Sequence, residues 1–268
     1  METKLDIPYS ATERAVRVLD LFLPGDNANG CAIFFVHGGG WHAGEKKGWR
    51  PVAMHFASLG YVCTSAEYHL APDGKLANQA ADLRIAMSFV KSHAAEWGFD
   101  PARVAALGSS AGAHLVALLA TILPDDPLGL TPEVTVRDTR PALAVCFNSI
   151  FSMHEADQAK ASLTDAIRDV LGATEADDPD AYRQASPLDR ITGAEPPFLM
   201  IVGDADDLTP IAGHEVMRDA LVAAGVAVEM VVLPGVNHGF GYGVTSDAQK
   251  TAHTHVARHL GALFGLAD

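Results

Sequence analysis

Short apolar runs alternate with helical periodicities along nearly the whole of this sequence, and that order narrows the fold more than any other feature. Runs at residues 16–23, 31–36, 61–67, 104–107, 142–147, 198–202 and 226–233 read as strands. Helical stretches lie between or after them at 47–59, 76–97 and 111–123, in a segment ending near Gly225, and at 246–264. Within 76–97, Ala80, Leu83, Met87 and Val90 recur at steps of three and four residues, which makes one apolar face. Repeated strand–helix–strand order predicts an α/β fold, a mostly parallel central sheet with helices on both faces. In such sheets ligands bind beyond the carboxyl ends of the strands, so functional residues are expected just after strands. The irregular interval is 148–197, with room for two short helices; it is too small for a domain and well placed for a small lid-like insertion.

Charge and apolar content remove several classes of function. Asp and Glu number 33 against 19 Lys and Arg, a formal charge of −14. A field of that sign repels phosphate backbones and anionic lipid, so neither nucleic acid nor a membrane surface is an expected partner. The longest apolar run, around residues 115–123, is broken by Thr121 and falls short of the ~18 residues of a membrane helix, so it reads as a core helix. Cys31, Cys63 and Cys146 form an odd set without CxxC, each in a strand-like run, and are expected to be free buried thiols. Residues 1–8 carry charges where a signal peptide needs its apolar stretch. Cytoplasmic is the default expectation, although a trimmed export signal would leave the same chain.

Three strand ends carry chemistry. The strand at 104–107 runs into Gly108-Ser109-Ser110-Ala111-Gly112 and then a helix, the strand–turn–helix context of a G-x-S-x-G nucleophile elbow. Small flanking residues let Ser110 project from a sharp turn, and the new helix directs free N–H groups toward it. The bland alternative is a glycine-rich turn with a capping serine. The strand at 31–36 ends in His37-Gly38-Gly39-Gly40-Trp41, where three glycines allow backbone N–H groups to approach a ligand oxygen. A phosphate loop competes for that reading, but no G-x-x-x-x-G-K-[ST] occurs. His37 itself reads as a structural hydrogen-bonder.

Twelve histidines compete for the role of base. His238, in Pro234-Gly-Val-Asn-His-Gly-Phe240, lies just after the last strand and among turn formers. His255 and His259 share a helix face, but no HExxH or nearby cysteine makes them a metal site. His114 lies one turn into the helix after Ser110 and reads as packed. The strand at 198–202 leads into a turn offering Asp204, Asp206 and Asp207 as the acid. Chain order is then Ser, Asp, His, the order of α/β-hydrolases.

The pairing of HGGGW after one strand with GSSAGAH after a later one resembles α/β-hydrolase esterases of the hormone-sensitive-lipase type, and more narrowly their cap-less acetyl- and feruloyl-esterase-like branch. Tyr68-His-Leu-Ala-Pro72, close to that family's YRLAP, and Ala185-Ser-Pro187 belong to the same likeness, which spans most of the chain. The resemblance implies Ser110 as nucleophile, His238 as base and, through G-x-x-D, Asp206 as acid with Asp207 the alternative. It also implies the N–H groups of Gly39, Gly40 and Ala111 as oxyanion donors. Trp41, closing the glycine motif, is a candidate substrate contact. Two departures stand out: His69 replaces a usual Arg, which bears on a structural ion pair, and Ala113 replaces a usual Gly.

The expected reaction is hydrolysis of short-chain acyl esters, acetyl or feruloyl esters of carbohydrates among them, through an acyl-enzyme and with neither metal nor organic cofactor. Only 36 residues precede His37, too few for a long N-terminal cap, so the site is expected to be open. Ser110, Asp206 and His238 are spread so widely that a working site requires residues 1–268 to form one domain. Two rivals use the same residues or the same fold. An arylformamidase cleaving N-formylkynurenine needs an identical triad, and a non-catalytic binding protein usually carries a broken one.

Overall fold

The computed structural model describes residues 1–13 and 15–266. Its strands are β1 (Glu2–Pro8), β2 (Val18–Leu23), β3 (Ala32–Val36), β4 (Val62–Ala66), β5 (Val104–Ser109), β6 (Leu143–Phe147), β7 (Phe198–Gly203) and β8 (Val228–Leu233). They form one sheet in the order β1-β2-β4-β3-β5-β6-β7-β8, with β1 and β2 antiparallel and all pairings from β4 to β8 parallel. The helices are α1 (Arg50–Ser58), α2 (Leu76–Ser92), α3 (Ala94–Trp97), α4 (Ala111–Thr121), α5 (Ala161–Leu171), α6 (Pro179–Ala185), α7 (Ile211–Ala223) and α8 (Asp247–Phe264). This is the α/β-hydrolase fold.

Burial on both faces explains why the central strands read as continuous apolar runs. Side chains alternate between two cores: Phe34 and Val36 of β3 face the layer of α2, α4 and α7, while Ile33 and Phe35 face α1 and α8. Residues 148–197 carry α5 and α6, and Leu163, Ile167, Val170, Tyr182 and Ala185 join the first of these cores. All three cysteines are free and buried. No helix among the described residues is long and apolar enough to cross a membrane.

The structure adds one strand to the sequence reading. β1 lies at the sheet edge with Glu2, Lys4 and Asp6, a charged and largely exposed strand that offers no apolar run to detect. The helix expected over 76–97 is divided, with α2 ending at Ser92 and a single further turn closed by Gly98 in the left-handed region. His69 keeps an ionic partner despite replacing arginine. Its Nδ1 lies 2.8 Å from Asp82, whose other oxygen takes Arg17 Nε at 2.7 Å. The guanidinium comes from a different strand-end loop.

Candidate active site

Five loops at the carboxyl ends of the parallel strands converge. β3 delivers the glycine run, β5 Ser110, β6 Asn148, β7 Asp206 and β8 His238. Ser110 has φ 56° and ψ −126°, a conformation that non-glycine residues rarely adopt and that costs roughly 1–3 kcal/mol. It persists because its surroundings hold it. Its N–H donates to Phe147 O at 2.8 Å, and a Cβ at Gly112 would lie 2.3 Å from Val36 O, so only glycine lets α4 start this close to β3. The Ser110 hydroxyl caps no helix N–H, which removes the capping-serine alternative. Its Oγ instead meets His238 Nε2 at 2.8 Å.

The other imidazole nitrogen meets one of the three carboxylates of the β7 loop. His238 Nδ1 lies 2.7 Å from Asp206 Oδ2, which also accepts from Thr209 Oγ1 at 2.7 Å and from Asn148 Nδ2. Asp206 Oδ1 accepts the N–H groups of Leu208 at 3.0 Å and Thr209 at 2.9 Å. Burial acts to raise the pKa of this carboxyl, but the bonds from His238, Thr209 and Asn148 outweigh it and hold it well below the usual carboxylate range. A permanently ionised, fully engaged carboxylate is what orients an imidazole and stabilises its protonated form. The neighbouring acids face elsewhere. Asp207 is exposed and pairs with Lys160 at 2.6 Å, and Asp204 accepts the N–H of Gly235.

The glycine run abuts Ser110. A Cβ on Gly38 would sit 2.4 Å from Ser109 O and 3.2 Å from Ser110 Cβ. Gly39 and Gly40 take φ 121° and 60°, which a side chain would resist. Among the described residues, the N–H groups of Gly39, Gly40 and Ala111 donate to no protein acceptor. Gly38 N–H differs: it donates to Tyr242 Oη at 2.6 Å, and the Tyr242 ring packs 4.5 Å from that of Trp49. Tyr242 thus ties the glycine loop to the loop that carries His238. Tyr242→Phe leaves a part-buried N–H without its acceptor, and kcat for a short ester is expected to fall roughly tenfold with KM little changed. Steady-state kinetics would check this, and an equal rise in KM would count against it.

Trp41 does not occupy the place expected of a substrate contact. It is fully buried, its Nε1 donates to His114 Nδ1 at 3.1 Å, and its ring stands edge-on to that imidazole. The apolar bulk of an indole is better covered by the core, and its φ of 64° turns it inward. His114 in turn donates from Nε2 to Ala185 O at 2.8 Å, so the glycine loop is braced through α4 to α6. His37 stacks on Tyr68 and donates from Nδ1 to Gly38 O at 2.9 Å, away from Ser110. His255 and His259 both approach Glu229, and no metal-holding cluster exists among the described residues.

Asn148, Thr209 and Tyr242 escaped the sequence reading. Asn148 sits directly after β6, the position the strand-end rule singles out, and takes φ 49°, which asparagine tolerates better than most residues. Tyr242 carries no such signal.

Three buried histidines are expected to make the fold acid-sensitive. Burial lowers the pKa of His114, His214 and His253 to about 4 from an ordinary 6.5. His214 accepts Ser149 N–H on Nε2, and His114 accepts Trp41 on Nδ1, so a proton at either nitrogen faces an existing donor. The unfolded chain takes up these protons below about pH 6.5 and the native chain does not until about pH 4. Stability is therefore fully present above pH 6.5 and falls toward pH 4, by about 3 kcal/mol for each such group. Thermal unfolding across that range should show a steep fall in Tm, and a flat profile would refute it.

A strained serine between strand and helix, an imidazole bonded to a buried carboxylate and a bare glycine loop stand in the order Ser, Asp, His on this sheet, the arrangement that accompanies the α/β-hydrolase fold. The chain belongs to the BD-FAE family, whose profile matches residues 19–221. It is 29% identical to Esterase LipQ of Mycobacterium tuberculosis over 97% of this chain and 62% of that protein. It is 30% identical to Esterase LipC of the same organism over 87% of this chain and 57% of that protein. The chain thus spans about six-tenths of the length of these curated relatives. A solved structure of esterase Est2 from Thermogutta terrifontis with bound propionate superposes with TM-score 0.80 at 27% identity, covering 99% of this chain and 94% of that one.

Proposed function

We propose that this protein is a carboxylic ester hydrolase that removes short acyl groups through an acyl-enzyme. The observation that carries the reading is the position of His238, bonded at once to Ser110 Oγ and Asp206. Ser110 Oγ attacks the ester carbonyl as His238 Nε2 takes its proton. Asp206 holds the Nδ1–H tautomer and stabilises the imidazolium. The oxyanion settles against the free N–H groups of Gly39, Gly40 and Ala111, donors whose individual removal costs roughly 3–4 kcal/mol in comparable sites. His238 returns the proton to the leaving alcohol. Water then repeats the sequence on the acyl-Ser110 bond, helped by an imidazole that remains partly exposed. Two esterases among the relatives and an esterase structure with a short-chain acid bound support this reading.

One domain over residues 1–268, an open site and a small-molecule ester substrate belong to the same proposal. Acetyl and feruloyl esters, including those on sugars, are the substrate classes to test first. Turnover of acetyl, butyryl and feruloyl esters beside N-formylkynurenine decides between ester and formamide, and a higher kcat/KM for the formamide would overturn the ester assignment. Labelling by an organophosphate, located at Ser110 by mass spectrometry, separates an enzyme from a binding protein. Est2 of Thermogutta terrifontis is itself phosphonylated by sarin.

A further inference from the structure

Gly40 is the member of the glycine run that packing leaves free. A Cβ on Gly38 would sit 2.4 Å from Ser109 O and one on Gly39 2.1 Å from Ala43 O, whereas one on Gly40 would meet nothing within 4 Å. Its conformation therefore depends on hydrogen bonds. The peptide before it is held, because Gly39 O accepts the N–H groups of His42 at 3.2 Å and Ala43 at 3.0 Å. A trans peptide sets N–H opposite C=O, so those bonds aim the Gly40 N–H the other way. The peptide after it is held at one point. Among the described residues, Gly40 O accepts only from the His42 ring, whose Nδ1–H donates at 2.6 Å, and the Trp41 N–H donates to no protein acceptor.

Trp41 makes that single bond matter. Its φ of 64° is one that bulky residues avoid. A half-turn of the Gly40–Trp41 peptide, with both Cα atoms in place, changes chiefly ψ of Gly40 and φ of Trp41. It would return Trp41 to negative φ and ask little of the glycine. Trp41 itself cannot follow, since its indole bonds His114 while its O accepts Ala71 N–H at 2.9 Å and Gln79 Nε2 at 3.1 Å. His42 bonds both Gly39 O and Gly40 O, so both carbonyls lie on its side of the loop. The half-turn would carry Gly40 O to the opposite side, toward which Gly40 N–H points, and a carbonyl oxygen there repels an oxyanion.

We propose that His42 is a positioning residue for the reaction: its ring N–H locks the Gly40–Trp41 peptide and keeps the oxyanion site lined by donors alone. The proposal rests on the esterase reading and on the place of Gly39 and Gly40 in it. The far edge of the ring contributes little. Nε2 is buried without a hydrogen-bond partner among the described residues and lies 3.6 Å from Asp169 Oδ2, beyond hydrogen-bond reach. That carboxylate, in the last turn of α5, is 70% exposed, where an ion pair is worth little.

Kinetics with p-nitrophenyl acetate test this. His42→Ala should lower kcat at least about tenfold, short of the roughly hundredfold or more that removing an oxyanion donor costs, with KM changed less than about twofold. His42→Leu, which fills the space of the ring without a donor, should show the same loss and replaces the alanine variant if that one folds poorly. His42→Asn carries an amide N–H in the place of Nδ1–H and should recover kcat to within about threefold of wild type. Asp169→Ala should change kcat less than about twofold. Inhibition by 1,1,1-trifluoroacetone, whose adduct with Ser110 carries an oxyanion, reads the site without turnover. Its Ki should rise at least about tenfold in His42→Ala or His42→Leu and recover in His42→Asn. Equal losses in the leucine and asparagine variants, a loss carried by KM, an unchanged Ki, or an equal loss in Asp169→Ala would each overturn the proposal. So would an active wild type whose leucine variant matches it, a result that leaves the esterase reading standing. A wild-type protein that hydrolyses no ester would overturn the esterase reading and this proposal with it.

Discussion

Ser110→Ala is expected to lower kcat for p-nitrophenyl acetate by at least ~10⁴-fold while leaving the fold intact. The size follows from the geometry. Among the described residues Ser110 Oγ is the one group bonded to His238 Nε2, so its removal leaves the imidazole nothing to deprotonate but water. The free N–H groups at Gly39, Gly40 and Ala111 remain and account for the residual rate. Substrate contacts outside the hydroxyl are untouched, so the loss belongs in kcat rather than KM. Thermal unfolding should show a protein as stable as the wild type to within about 1 kcal/mol, since the hydroxyl caps no helix. Activity retained within tenfold would remove Ser110 from the mechanism.

Asp206→Asn is expected to cost kcat roughly 10⁴-fold, through a tautomer rather than a lost charge alone. Five donors converge on the carboxylate, and an amide keeps only one acceptor oxygen. The N–H groups of Leu208 and Thr209 are fixed backbone, so the amide oxygen must take the place of Oδ1 and the NH₂ that of Oδ2. There it faces His238 Nδ1, which relieves the conflict by giving up its proton and moving it to Nε2. An Nε2–H imidazole cannot accept the proton of Ser110. Asn148 Nδ2 has no such escape, so a stability loss of about 1–3 kcal/mol accompanies the kinetic one. Asp207→Asn is the control. That side chain meets only Lys160, at the surface, and its replacement should change kcat less than about twofold. A loss at Asp207 equal to that at Asp206 would show the acid to be misassigned.

Chain alternation located every strand except β1, because buried parallel strands announce themselves as apolar runs and an edge strand does not. The strand-end rule likewise pointed to the loops of Ser110, Asp206 and His238, where chemistry and position coincide in short local motifs. Residue types alone leave Asp204, Asp206 and Asp207 equal, since three carboxylates in four residues differ only in where the turn aims them; the G-x-x-D likeness chose Asp206, and Asp206 is the one that lies against His238. Trp41 failed for a related reason: adjacency to a functional loop says nothing about which way a side chain turns, and its positive φ sends it into the core. Asn148 and Tyr242 act through contacts across 58 and 204 residues of sequence, distances at which no local pattern exists.

The backbone at Ser110 sets reactivity and robustness against each other. A chain with glycine there would sit at ease in the turn and lose the hydroxyl on which the proposed reaction depends, so selection for heat resistance alone would erode that reaction at its first step. Durability in this protein has therefore to be gained elsewhere. The exposed edge strand β1, three strands from the glycine run in the sheet order, is where a sturdier descendant could arise without forfeiting its chemistry.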